Sequence, residues 1–411
     1  MTATALPAAP TASRLSPAFA ALVLALLMGL QPITTDLMLP ALPALAADLQ
    51  AGMAAVQLTM AALILGFGLA QLVWGPVSDR LGRRPVLLLG LALYVAASVG
   101  AALASQITAV VAWRALQGAA MSAAVVCARA MVRDLYEPHQ GAMVMARALT
   151  GLGGIAIVSP VIGGVLVAGL GWRAAVGAMG VVGTLLGLFV ALRLPETIRQ
   201  RRPDATQLKP LLRQLGITLR HPGFRAWALL VSLSYCGIFI FLSGSGFVLI
   251  KVLGLGPRQA GAVMATCSIT YIAGTLLCRR WIPLLGLAGA VGRAAGFSLA
   301  ACVAFAVLAA TDARSVWAVM LPVWLYALGH GVHQPCGQAG AAGPFPKAAG
   351  LASALAGFGT AVLAFATGLW LGQALDGTVR PFAISMATAA GLAALVARTL
   401  VRWHGERLQA P

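Results

Sequence analysis

The sequence predicts an all-α, polytopic membrane protein whose 12 transmembrane helices form two pseudo-symmetric six-helix halves. Three observations carry that expectation. Of the 411 residues, 60% are hydrophobic and only 9% charged, where a soluble domain carries about 25% charged residues. The mean hydropathy of +0.91 comes from apolar runs repeated along the whole chain, each long enough to cross a hydrocarbon layer about 30 Å thick. One long polar connection, Arg193 to Arg225, interrupts them, with eight basic and two acidic residues, and six runs lie on either side of it.

In chain order the spans are expected at 18–45, 54–75, 85–104, 108–130, 142–169, 172–192, 226–250, 259–278, 286–310, 315–336, 348–371 and 380–400, each bounded by charge, Pro or Gly. This divides the chain into a tail at 1–17, a bundle at 18–192, a linker at 193–225, a second bundle at 226–400 and a tail at 401–411. The apolar run after residue 17 is longer than a signal-peptide core, so no cleavage is expected. Of the 28 Lys and Arg residues, 22 fall in loops on the side of the termini and five on the other. By the positive-inside rule both termini and the linker are cytoplasmic. The net charge of +18 is therefore an orientation signal: the cations sit in short clusters between spans, with no aromatic-basic face for nucleic acid.

The halves echo each other. Asp79-Arg80-Leu81-Gly82-Arg83-Arg84 follows the second span, and Arg279-Arg280 stands at the equivalent place after the eighth. Two six-helix repeats are a layout that holds a substrate at the bilayer midplane between them. The six cysteines lie in or at the ends of apolar segments with no metal-ligand spacing, and read as small buried hydrophobes.

Asp36 is the one acid well inside a span. A carboxylate in hydrocarbon is expensive, and desolvation favours its neutral form, so it is a candidate to take up and release a proton. A permanently paired structural acid is the alternative. Arg114 is the one base inside a span. At about 1.5 Å per residue, Asp36 and Arg114 lie about 14 Å and about 9 Å below the outer ends of their helices, at similar depth.

The stretch Gly75-x-x-x-Asp79-Arg80-x-Gly82-Arg83-Arg84 has the spacing of the signature that follows the second helix in the major facilitator superfamily, which this sequence resembles. The resemblance implies the major facilitator fold and a gating role for Gly75, Asp79, Arg80, Gly82, Arg83 and Arg84, with Asp79 accepting from a helix terminus and from an arginine such as Arg133. Arg114-x-x-Gln117-Gly118 resembles the superfamily's fourth-helix motif, which implies that Arg114 is the cation tuning Asp36 in proton coupling; a purely structural arginine–carbonyl bond is the alternative. Gly154, Ser159, Pro160, Gly163 and Gly164 of the fifth span form an arrangement similar to the antiporter motif of its drug exporters, with Ser159 where Gly is usual. The resemblance favours efflux over uptake.

Asp36-Leu-Met-Leu-Pro40-Ala-Leu-Pro43 and the segment from Gln334-Pro335 to Gly343-Pro344-Phe345-Pro346, with Gly350 and Ser353, resemble the Bcr/CflA drug-resistance transporters over nearly the whole chain. Met38 departs from that pattern, where an aromatic ring is common, and is expected to face substrate. Helix position adds Gln57, Trp74, Gln117, Tyr235, Phe239, Phe241, His330 and Gln334 as cavity candidates. His330 and His333 share a helical face, yet no third ligand makes a metal site. No nucleophile-base spacing or phosphate loop points to an enzyme. The expectation is a monomeric proton-coupled exporter of small amphipathic drugs of the bicyclomycin, chloramphenicol/florfenicol or sulfonamide type in a bacterial inner membrane. It needs no cofactor beyond the proton gradient. An exporter of an endogenous metabolite is the alternative.

Overall fold

A computed structural model describes residues 16–136, 138–198 and 201–405. Arg14, Arg199 and Arg407, three of the predicted orientation charges, lie outside these residues, as do residues 406–411 of the predicted C-terminal tail. The described residues are mostly helical: α1 (Pro17–Asp36), α2 (Leu42–Asp48), α3 (Met53–Leu81), α4 (Arg83–Leu103), α5 (Ile107–Leu135), α6 (Pro138–Leu170) and α7 (Trp172–Arg193) precede the linker. They are followed by α8 (Leu208–Arg220), α9 (Pro222–Phe247), α10 (Pro257–Thr311), α11 (Val316–Ala342), α12 (Ala349–Ala374), α13 (Arg380–Arg398) and α14 (Leu400–His404). Helices satisfy every backbone donor and acceptor within one segment, which a lipid environment requires.

Eleven of the described helical stretches are long and apolar enough to cross a membrane, one fewer than the sequence predicts, because the eighth and ninth spans are merged in α10. No polar loop separates them. The reversal falls at Gly286, with φ 67° and ψ −177°, a backbone region almost closed to residues with a Cβ. That α10 doubles back is clear from Trp281 and Phe297. They are 16 residues apart, about 24 Å along a straight helix, yet their rings stack at 6.3 Å, and the Arg293 guanidinium lies 5.5 Å from the Trp281 ring. A Cβ at Gly286 meets nothing within 4 Å, so Gly286→Ala is expected to act through the backbone alone, destabilising by about 1–3 kcal/mol. Gly296 also has open space around it but has helical geometry, so Gly296→Ala is expected to leave stability unchanged or raise it by about 0.5–1 kcal/mol. Thermal melts of the two detergent-solubilised variants should move in opposite directions.

Within the first group α3 and α4 pack on α5, α1 on α6 and α4 on α7; within the second α10 packs on α11 and α13, and α9 on α11, α12 and α13. The two groups meet through α3 on α12 and α6 on α10. Lipid-facing and core-facing sides are clear on α7. Val181, Leu185, Leu188 and Leu192 form an exposed stripe, while Ala175, Val176, Met179 and Val190 are buried against the bundle. All six cysteines are free thiols, and the sulfurs of Cys278 and Cys336 touch at 3.4 Å.

At the end remote from the Asp79–Arg84 loop the two groups are closed against each other. Gln57 Nε2 donates to the Ser243 carbonyl at 2.7 Å, Gly246 lies against the Leu39 carbonyl, and Gly261 against that of Pro160. At the loop end they part around a cavity of about 810 Å³ lined by α3, α5, the first turn of α12 and the linker.

Candidate coupling and gating sites

Asp36 sits where the first span breaks, a feature the continuous 18–45 span did not foresee. Pro32 inside α1 has no amide hydrogen to give the preceding turn, and α1 ends four residues later at Asp36. A 3₁₀ turn at Leu39–Ala41 and Pro43 in the first turn of α2 redirect the chain. Asp36 is 8% exposed, and its Oδ1 accepts from the Thr35 hydroxyl at 2.6 Å. Across the interface, Tyr235 of α9 and Cys267 of α10 lie within electrostatic range of the carboxylate. Its environment is therefore assembled from both groups of helices. Gly163 of α6 lies against the Leu37 carbonyl, immediately after Asp36, and Gly164 against the Pro257 carbonyl at the start of α10. Ser268 of α10 donates to the Ala156 carbonyl at 3.2 Å. The predicted antiporter stretch is thus wedged between the break in α1 and the opposite half. Ser159 bonds back to the Ile155 carbonyl at 2.7 Å within α6, and Gly154 faces open space.

Arg114 does not pair with Asp36 as the resemblance and the equal depth led us to expect; the alternative, an arginine–carbonyl bond, is what forms. Its Nη1 donates to Gln117 Oε1 at 2.6 Å and its Nη2 to the Thr34 carbonyl at 3.1 Å, while Nε has no partner among the described residues. Gln117 Nε2 donates to Ser98 Oγ at 2.7 Å, and the Tyr94 and Thr34 hydroxyls bond at 2.7 Å. Equal depth did not bring the side chains together: Arg114 lies on the face of α5 that looks at the last turn of α1, while the Asp36 carboxylate is bonded to its own neighbour Thr35. Gln117 consequently belongs to a buried polar network within the first bundle. Thr34, Tyr94 and Ser98 were missed; their signal was polarity inside apolar runs.

The gating stretch folds into a charged anchor. Arg83, 4% exposed, places Nη1 2.6 Å from Asp79 Oδ1 and its Nε 2.9 Å from Asp134 Oδ2, and Nη1 also reaches Ser78 Oγ at 2.6 Å. Arg133 does not reach Asp79 as expected: its guanidinium lies over Gly350 in the first turn of α12. Asp79 is thus held within its own half by Arg83. Gly82 joins α3 to α4 with φ 107° and lies against the Glu196 carboxylate. That carboxylate accepts from the Arg83 and Arg84 amides at 2.9 and 3.3 Å, capping the amino end of α4 with a negative charge. Arg80 Nη1 bonds the Thr206 hydroxyl at 3.0 Å, and the Asp79 carbonyl accepts from the Arg202 amide at 2.9 Å. The loop therefore ties α3, α4 and α5 to the linker. Asp134 and Glu196 were not predicted, since acids next to basic clusters read as ordinary loop charges.

The cavity candidates scatter. Gly75, Asp79, Arg83 and Arg133 line the 810 Å³ cavity, and none of Met38, Gln57, Trp74, Gln117, Tyr235, Phe239, Phe241, His330 or Gln334 does. Met38, Phe239 and Phe241 are packed in the core, Trp74 Nε1 donates to the Ala119 carbonyl at 2.8 Å, and Gln57 bridges the halves at the closed end. His330 Nδ1 meets the Ser234 hydroxyl at 2.8 Å with its ring 5.5 Å from Tyr271. His333 is fully buried, and neither ring nitrogen has a partner among the described residues. Tyr235 and Gln334 are part-exposed, and Gln334 Oε1 has no partner among the described residues. On helices apolar on all sides, the sequence does not say which face points inward.

A polytopic bundle closed at one end and open at the other, with a carboxylate buried where its two groups of helices meet, defines a membrane transporter. The chain belongs to the Major Facilitator Superfamily, whose sequence profile matches residues 24–369. It is 31% identical to Multidrug resistance protein D of Escherichia coli (strain K12) over 84% of this chain and 86% of that one. It is 30% identical to the Chloramphenicol resistance protein of Pseudomonas aeruginosa over 78% of this chain and 75% of that one. These relatives are of the Bcr/CflA drug-resistance type that the sequence resembles. Among solved structures, the inward-open xylose transporter XylE from E. coli superposes with a TM-score of 0.73 at 15% identity, over 93% of this chain and 95% of that one, a likeness of fold. The protein is a multi-pass membrane transporter of small molecules.

Proposed function

We propose that the chain is a proton-coupled exporter of small amphipathic drugs in a bacterial inner membrane. It works as a monomer, with both termini in the cytoplasm and the proton gradient as its energy source. The observation that carries this is the place of Asp36, a buried carboxylate at the broken end of α1, where the turn that follows packs on α9 and α10 of the other bundle. Rocking of one bundle on the other must change what surrounds it, and so its proton affinity. With Asp36 ionised the site takes up drug from the cytoplasm. Protonation from the outside weakens that binding and favours the return, which requires only that drug and proton have different affinities for the two states. One pH unit is worth about 1.4 kcal/mol per proton, enough to sustain about a tenfold drug gradient. The excess of cations at the loop end supports its cytoplasmic placement. The multidrug and chloramphenicol resistance proteins among the relatives support export of drugs rather than of a metabolite.

The test uses everted membrane vesicles with an imposed pH gradient, to which chloramphenicol, bicyclomycin or a sulfonamide is added while proton release is followed. Release with at least one of these compounds, absent from vesicles lacking the protein, is the expected outcome. Silence across the panel with the protein present counts against drug export and in favour of a metabolite substrate.

A further inference from the structure

We propose that α8 is a binding site for anionic phospholipid headgroups in the leaflet at the loop end of the bundle. The helix packs on α9 and α12, with Thr218 fully buried, while Pro210, Leu211 and Gln214 line the cavity between the halves. Its opposite side is unpartnered among the described residues. Leu212 and Leu219, seven residues and two turns apart, are 55% and 50% exposed, and Lys209, Arg213 and Arg220 are exposed beside them. The helix contains no acid, and none of these three cations is in an ion pair among the described residues.

The covalent chain fixes where this surface lies. α8 is 13 residues long, about 20 Å, and a single residue, His221, separates it from Pro222 at the start of membrane-spanning α9. It cannot leave the bilayer surface. Leucines exposed in a row and flanked by cations match the boundary between acyl chains and phosphates, where apolar burial and attraction to anionic lipid act together. Because its other side forms part of the cavity wall, the lipid that holds α8 also holds the mouth of the cavity. This inference rests on the membrane topology and not on drug export.

The test takes the full chain carrying an environment-sensitive fluorescent amino acid in place of Leu212, reconstituted in vesicles of phosphatidylcholine alone or with phosphatidylglycerol. Emission is expected to shift to the blue with phosphatidylglycerol, and to return to its phosphatidylcholine value at high salt or in the Lys209→Gln/Arg213→Gln/Arg220→Gln variant. These side chains are exposed, so the variant folds, as its unchanged thermal melt will show. Emission typical of water in both vesicles, a blue position independent of lipid charge, or a shift that survives the triple substitution each overturns the proposal.

Discussion

Asp36→Asn is expected to reduce drug-driven proton release in everted vesicles to the level of vesicles without the protein, while the variant still folds and binds drug. Asparagine keeps the size and much of the hydrogen bonding: its side-chain oxygen can still accept from Thr35, as the carboxylate does at 2.6 Å. What it lacks is a second protonation state, so the two conformations no longer differ in proton affinity and a pH gradient has nothing to act on. Drug affinity, measured by equilibrium binding, should become independent of pH over the range in which the native protein's affinity falls with acidification. Asp36→Glu, which keeps an ionisable group displaced by one methylene, is expected to retain reduced but measurable coupling. Full gradient-driven transport by Asp36→Asn would falsify the assignment and move the proton site elsewhere.

The difference between what could and could not be read from the chain follows the bilayer. Hydrocarbon imposes a length and a composition on every span, so the spans and the linker between the sixth and seventh were visible as apolar runs and charge clusters. The corner at Gly286 was not, because a reversal made by one glycine in a helical run leaves no polar loop. Asp36 was conspicuous because an acid in an apolar run is rare. Its partner was misjudged because depth is a one-dimensional coordinate, and the azimuth that turns Arg114 to the Thr34 carbonyl instead is decided by packing. The same loss of azimuth explains why Phe239 and Phe241, assigned to a cavity, lie in the core. The α8 helix lay inside a segment read only as linker, although Leu212 and Leu219 share a face beside Lys209, Arg213 and Arg220. The loop motif stood out in the sequence and its bonding did not, since Asp134 and Glu196 stand respectively 51 and 113 positions beyond Arg83 and join it only through the fold.

Arg83→Ala is expected to be the most damaging change at the loop end of the molecule. One guanidinium here holds Asp79, Asp134 and Ser78 together, with 5% of the side chain exposed against 36% and 18% for the two carboxylates. Removing it leaves two facing acids half out of water without a counter-charge. The penalty for orphaning a buried partner is about 3–5 kcal/mol, and partial solvation of Asp79 lowers the expectation here to about 2–4 kcal/mol. Lysine should rescue little, because a single ammonium cannot span the separate acceptors that the planar fork reaches at once. A lower thermal midpoint and a loss of transport do not by themselves separate charge from packing, but a further combination does. Arg83→Met with Asp79→Asn and Asp134→Asn removes the cation and both charges it neutralises while keeping apolar volume, and should recover most of the lost stability. Transport should stay impaired in that triple variant, because the loop that joins α3, α4 and α5 to the linker has then lost the charge that fixes its shape. If the triple variant melts as low as Arg83→Ala although both acids are neutralised and the volume is kept, uncompensated charge is not what destabilises Arg83→Ala and the electrostatic account of the anchor is wrong.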